Sequence, residues 1–160
     1  MNFNANGYLE PGLHDCDPTD IHENLVVAFP TSGTRAKIFD GYKQHRQELL
    51  ELGLTVEQFI DGSFASTKND PGDIDMVCFI DADAVDALDQ AQQDKLVALV
   101  SGPLTKATHQ CDAYFVPRLP VHHPNYGAFR TQRKYWMGEF GFDRTDQAKG
   151  MLRTIVEVKP

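Results

Sequence analysis

Apolar residues recur along the chain in two periods, and each change of period marks an element. Between Asp17 and Phe29 the positions Ile21, Leu25, Val26 and Phe29 fall near helical spacing. Asp17 is a natural N-cap with Pro18 at the first helical position, and Pro30, Ser32 and Gly33 end the run. Ser32 is placed to cap a second, longer helix from about Thr34 to Leu52, with Ile38, Tyr42, Leu49 and Leu52 as its apolar face and Gly53 as its stop. The period then shortens. Val56 to Ile60 predicts a strand that runs straight into Asp61-Gly62-Ser63, and Asp73-Ile74-Asp75-Met76-Val77-Cys78-Phe79-Ile80 is the strongest strand signal in the chain. Cys111 to Val116, closed by Pro117, predicts a third strand, and the alternation from Met151 to Val158 a fourth. Helices are predicted over Asp83 to Val100, with aspartates in the early part where the helix dipole favours them, and around Tyr126 to Gly138. Residues 1–17 have no periodic apolar face and are rich in Asn, Gly, Pro and Asp, so they read as an extended arm. The mixture is α+β, with one small sheet flanked by helices.

Composition narrows what such a fold does. The 160 residues are 41% hydrophobic and 24% charged, an ordinary globular balance and one domain's worth of chain. The net charge of −8 disfavours extended nucleic acid as a partner, because binding to many phosphates needs concentrated positive charge. That charge is uneven: residues 1–117 carry 7 Lys and Arg against 19 Asp and Glu, whereas residues 118–160 carry 8 against 4. Cys16, Cys78 and Cys111 are odd in number and lack CxxC spacing, which points away from a disulfide framework or zinc knuckle and suits a reducing cytosol. The opening MNFNANGYLEPG shows no basic region followed by an apolar stretch, and no apolar run approaches the roughly 18 residues of a membrane span. A cytoplasmic location without membrane partners is therefore expected.

The candidate chemistry lies between residues 59 and 115. Alternate strand residues share a face, so Asp73 and Asp75 project together while Ile74, Met76, Cys78 and Ile80 project from the other side. Two carboxylates held that close are costly unless a cation neutralises them, and hard oxygen ligands suit Mg²⁺ or Mn²⁺. A solvated strand end is the plain alternative for an Asp-x-Asp taken alone. Its surroundings shift the balance. Nine residues separate Ser63 from Asp73, and the Gly62-Ser63 turn at a strand exit allows close backbone approach to a phosphate, with the Ser63 hydroxyl and amide as donors. Asp112 sits in an apolar strand among Cys111, Ala113, Tyr114 and Phe115, where a carboxylate calls for a partner.

Gly-Ser, a nine-residue spacer, Asp-Ile-Asp and a later strand with one more Asp together resemble the nucleotidyltransferase superfamily that includes DNA polymerase beta. More narrowly, Asp61-Gly62-Ser63-Phe64 with Lys68, Pro71 and Asp73-Ile74-Asp75 looks like an uncharacterised bacterial family of nucleotidyltransferase-like proteins. The segments Gly7 to Gly12, Tyr135-Trp136, Phe140-Gly141 and Lys149-Gly150 extend that likeness over most of the chain. The resemblance implies a palm-like fold in one domain of residues 1–160: the arm 1–17, a motif-bearing core 56–116 and a basic segment 118–160. It implies two-metal nucleotidyl transfer, with Asp73, Asp75 and Asp112 as catalytic metal ligands for Mg²⁺ or Mn²⁺, Gly62 and Ser63 on the β- and γ-phosphates of an NTP such as ATP, and pyrophosphate as leaving group. Asp61 departs from the pattern, which has an apolar residue there.

Several basic residues compete for the phosphate role. Lys68 lies between the turn and the aspartate pair, within reach of a phosphate, and a plain loop lysine is the competing reading. Arg133 and Lys134, with Arg130, Arg144 and Lys149 nearby in sequence, are either a solvated helix face and loop or a positive wall opposite the aspartates. Tyr135 and Trp136 fit a core better than a base-stacking platform. His122-His123-Pro124 lacks the spacing of a metal pair, and the Arg-x4-His string from Arg118 to His123, found in a family of helical ribonucleases, is denied its helix by Pro117, Pro120 and Pro124. The short chain resembles minimal nucleotidyltransferases, some of which act as antitoxins by adenylylating a partner toxin. A protein hydroxyl, such as one on a cognate toxin or neighbouring gene product in a defence setting, is the leading acceptor. Synthesis of a short or cyclic oligonucleotide, terminal addition to RNA, and a catalytically silent binding scaffold are the rivals.

Overall fold

In the computed structural model, which describes residues 1–157, the chain forms one five-stranded mixed sheet with helices on both faces. The strands are β1 (Gly12–Asp15), β2 (Val56–Asp61), β3 (Ile74–Asp81), β4 (Cys111–Arg118) and β5 (Gly150–Val156), in the spatial order β1-β5-β2-β3-β4. β2 is antiparallel to both β3 and β5, while the β1–β5 and β3–β4 pairs are parallel. The helices are α1 (Pro18–His22), α2 (Arg35–Glu51), α3 (Ala82–Asp86), α4 (Gln90–Leu99), α5 (Pro103–His109) and α6 (Tyr126–Gly141). No helix of the described residues is long and apolar enough to cross a membrane.

The apolar alternation sorts the core into two layers. Val56, Ile60, Ile74, Met76, Cys78 and Ile80 face α2 and α4 and pack with Ile38, Tyr42, Leu49, Leu96 and Leu99. Phe59, Val77, Phe79, Val116 and Met151 face the other way and are covered by Phe140, with Trp136 and Phe129 of α6 alongside. β2 and β3 are thus buried on both faces: β3 reads as a nearly continuous apolar run, whereas β2 also buries Glu57, Gln58 and Asp61. Fully buried side chains such as Phe59 and Phe79 each stabilise such a core by about 3–5 kcal/mol relative to Ala.

Local side-chain hydrogen bonds set the starts of α1 and α2. Asp17 accepts hydrogen bonds from the Thr19 and Asp20 amides as predicted, and α1 then passes through one π-helical turn, Glu23–Val27. Ser32 Oγ accepts from the Thr34 and Arg35 amides at the start of α2.

Three elements differ from the sequence expectation. The arm is not wholly extended loop, because Gly12–Asp15 pairs with β5 as a parallel edge strand. The single helix expected over Asp83 to Val100 is two: Asp89 and Gln92 form a reciprocal capping box that starts α4 afresh. α5, unpredicted, starts with Pro103 after Gly102 at φ 57°. Val158, expected to end the last strand, and Lys159 of the basic segment lie outside the described residues.

Candidate functional site

The register of the central strands brings four acidic residues to one end of the sheet. Asp61 at the end of β2 is opposite Asp75 of β3, and Asp75 is opposite Asp112 of β4. Asp73 precedes β3 by one residue and so lies two positions before Asp75. Carboxylate oxygens of Asp73, Asp75 and Asp112 all lie within 4.8 Å of one another. Burial, followed by the charges of Asp73, Asp61 and Asp112, pushes the Asp75 carboxyl up to about 6. Asp112 Oδ1 is buried and has no hydrogen-bond partner among the described residues. An unmatched buried carboxylate oxygen among like charges is the arrangement a divalent cation resolves, so the donor set fits Mg²⁺ or Mn²⁺.

The Gly62-Ser63 turn closes against these carboxylates. Gly62 has φ 77°, and a Cβ there would stand 1.9 Å from Asp75 Oδ2, so both backbone conformation and space demand glycine. The turn is braced from behind by Arg35, a fully buried side chain. Its guanidinium donates to the carbonyls of Leu25 and Phe64 at 2.9 and 2.8 Å and to those of Ser66 and Lys68, each at 2.7 Å. It also lies over the Phe29 ring at 3.8 Å. Ser66 Oγ donates to the Ser63 carbonyl, whereas the Ser63 hydroxyl has no partner among the described residues.

A cleft of about 1080 Å³ opens over this end of the sheet. Asp73, Asp75, Asp112, Gly62, Ser63 and Lys68 all line it, so six of the eight site residues expected from sequence are brought together. The N-terminal arm forms part of the wall through Asn6, Gly7 and Tyr8. Thr67 N donates to the Gly7 carbonyl at 2.9 Å, and Tyr8 Oη donates to Asp143 at 3.0 Å across the cleft's edge. Asp143 is anchored by the Gln147 amide and by the Thr145 hydroxyl and amide, which hold its carboxyl down at about 2.

Arg133 and Lys134 lie elsewhere. They line a separate groove of about 420 Å³ with Glu57, Arg118 and Arg130. Arg133 makes a two-pronged ion pair with Glu57 at 2.7 and 2.8 Å and lies over the Phe59 and Phe79 rings. Glu57 is four β2 residues from Asp61, roughly 13 Å along the strand, so the expected positive wall of Arg133 and Lys134 does not face the aspartates. Trp136 packs against Tyr114 and Phe140, with ring centroids 5.1 and 5.2 Å away, and also borders the cleft, while Tyr135 is exposed.

The cations at the cleft are Lys68, Arg144 and Lys149, the last two expected in the positive wall, and Lys106, which was not singled out from sequence. Lys106 of α5 places Nζ 2.6 Å from Asp73 Oδ2. Lys149, just before β5, places Nζ 2.5 Å from Asp61 Oδ2, with both side chains largely buried. Asp61 itself was the available signal for the second: a charged residue where the broad pattern is apolar requires a cation nearby. Lys106 had no such signal, because the helix that carries it was not predicted.

Three grouped carboxylates, a glycine-serine turn and several lysines in one cleft can hold divalent cations together with a polyphosphate. No curated protein and no solved structure matches the chain. Residues 1–155 match DUF6932, described as a family of unknown function, and the chain belongs to that family.

Proposed function

We propose that this chain is a metal-dependent nucleotidyltransferase of the polymerase beta-like type, moving a nucleoside monophosphate from an NTP, ATP foremost, to an acceptor hydroxyl. The observation that carries the reading is the convergence of Asp73, Asp75 and Asp112, with Asp112 Oδ1 buried and unmatched, beside a glycine whose positive φ and close approach to Asp75 leave no room for an unstrained side chain. Asp73, Asp75 and Asp112 are the residues that would hold Mg²⁺ or Mn²⁺. Such ions, when bound, neutralise phosphate charge and lower the pKa of an attacking hydroxyl.

The chain's own groups do the rest. The Ser63 hydroxyl and the Lys68 ammonium, both on the cleft wall, face the β- and γ-phosphates, and Gly62 lets the backbone come close. The acceptor oxygen bonds to the α-phosphorus as the bond to the β-phosphate oxygen breaks; pyrophosphate leaves and the hydroxyl proton passes to solvent. The acceptor we assign is a protein hydroxyl, supported by the resemblance to minimal nucleotidyltransferases that modify a partner toxin.

The test is incubation with each α-labelled NTP, with Mg²⁺ or Mn²⁺, alone and with the product of the adjacent gene. Label on that protein, lost in Asp73→Ala/Asp75→Ala, supports the reading. Small nucleotide products or extended RNA without protein label would move the acceptor to a nucleotide. No transfer from any NTP with either metal would overturn the transferase reading.

A further inference from the structure

We propose that Lys149 is a polyphosphate-binding residue of the cleft and that Asp61 is the positioning residue that holds it there. This rests on the reading of the cleft as a nucleotide site, and its test is read separately from that reading. Asp61 is 6% exposed at its side chain and Lys149 13%. Removing two such charges from water costs several kcal/mol per ion, and a single hydrogen bond rarely compensates. An apolar pair at these positions would satisfy the fold at least as well. The residues retained instead form an ion pair in the wall of a cleft that already carries four other aspartates.

The geometry shows what the pair supplies. Lys149 Nζ uses one of its three donors on Asp61 Oδ2, at 2.5 Å, and no other acceptor among the described residues engages it. Its backbone is fixed: the Lys149 amide donates to the Gly141 carbonyl at 2.8 Å. The next residue, Gly150, packs so tightly on the arm that a Cβ would stand 2.1 Å from the Glu10 carbonyl oxygen. Asp61 is immediately followed by Gly62 and Ser63, so the ammonium is tethered beside the turn assigned to phosphate. A lysine held in this way keeps its charge in place for an incoming anion without the entropy loss of ordering a free side chain.

The experiment uses Asp61→Leu/Lys149→Met, an apolar replacement of the whole pair that leaves no unpaired buried charge. Mn²⁺ affinity and inorganic tripolyphosphate affinity in the presence of Mn²⁺ are each measured by calorimetry, with the melting temperature as a check on folding. The expected result is a folded double variant with near wild-type Mn²⁺ affinity and tripolyphosphate binding weakened about 10-fold to 100-fold, while Lys149→Arg stays near wild type. A pair that merely staples β5 to β2 would leave tripolyphosphate affinity untouched, and that result, or a wild-type chain that does not bind tripolyphosphate, overturns the assignment. Failure of the nucleotidyltransferase reading shows instead as Mn²⁺ binding that is indifferent to Asp73→Ala/Asp75→Ala.

Discussion

Replacing Asp75 by Asn removes the charge at the centre of the acidic cluster without changing its shape. In the folded chain the Asp75 carboxyl is pushed up to about 6, against an ordinary value of 3.8, first by burial and then by Asp73, Asp61 and Asp112. A difference of about two pH units corresponds to about 3 kcal/mol, and partial exposure of the side chain reduces this to about 1–2 kcal/mol. The folded state holds the proton more tightly than the unfolded state. Its stabilisation is therefore complete below pH 4 and is lost as the pH rises through 6. At pH 7.5 in EDTA the ionised carboxylate works against the fold, and Asp75→Asn should melt about 3–6 °C above wild type. At pH 4.5 much of that gain should vanish, because the wild-type group is then mostly protonated. Saturating Mn²⁺ should reverse the order at pH 7.5, since a ligand at a hundred times its Kd stabilises wild type by about 2.7 kcal/mol and the variant has lost a ligand. Melting curves at the two pH values, with and without Mn²⁺, give all four comparisons. A variant less stable than wild type in EDTA at pH 7.5, or one stabilised by Mn²⁺ as much as wild type, would refute the reasoning.

Other substitutions probe the supports of the same site. Gly62→Ala forces a Cβ against the Asp75 carboxylate at positive φ and should cost about 1–3 kcal/mol by urea denaturation while also weakening Mn²⁺ binding. Arg35→Met strips four backbone carbonyls of their shared donor and should cost at least about 3 kcal/mol, with hydrogen exchange accelerated between Phe64 and Lys68. Arg133→Ala/Lys134→Ala should lose about 1–3 kcal/mol of stability through the abandoned Glu57, yet leave nucleotide affinity within about twofold of wild type. A large loss of affinity in that variant would return these residues to the phosphate site.

What the sequence disclosed follows the range of the interactions involved. The Asp17 cap and the Ser32 start of α2 depend on neighbours two or three residues away, and both were legible. The shared placement of Asp73 and Asp75 follows from strand alternation, and Gly62 and Ser63 were recognisable as a turn at a strand exit. β1 was hidden because four residues of an acidic, glycine-containing arm gain strand structure only by pairing with β5, far along the chain. The break between α3 and α4 was obscured because Leu88 continues the apolar period across it, although the Asp89 and Gln92 spacing of the capping box is local. Lys106 and Lys149 reach the cleft through tertiary packing, at sequence distances of 33 and 88 from the acids they meet. Arg133 and Lys134 were misplaced because net charge over a segment says nothing about which end of a helix faces the site. The nucleotidyltransferase fold itself remains part of the proposal; the α+β architecture and its mixed sheet are features of the structure.

The central claim is that Asp73, Asp75 and Asp112 form a divalent-cation site that works on a nucleoside triphosphate. Crystals grown with Mn²⁺ and a non-hydrolysable ATP analogue test it most directly, through the anomalous signal of the metal. The account predicts Mn²⁺ bound by these three carboxylates, with the triphosphate running over Gly62 and Ser63. Mn²⁺ absent from that cluster, or a nucleotide seated away from the cleft, would contradict it.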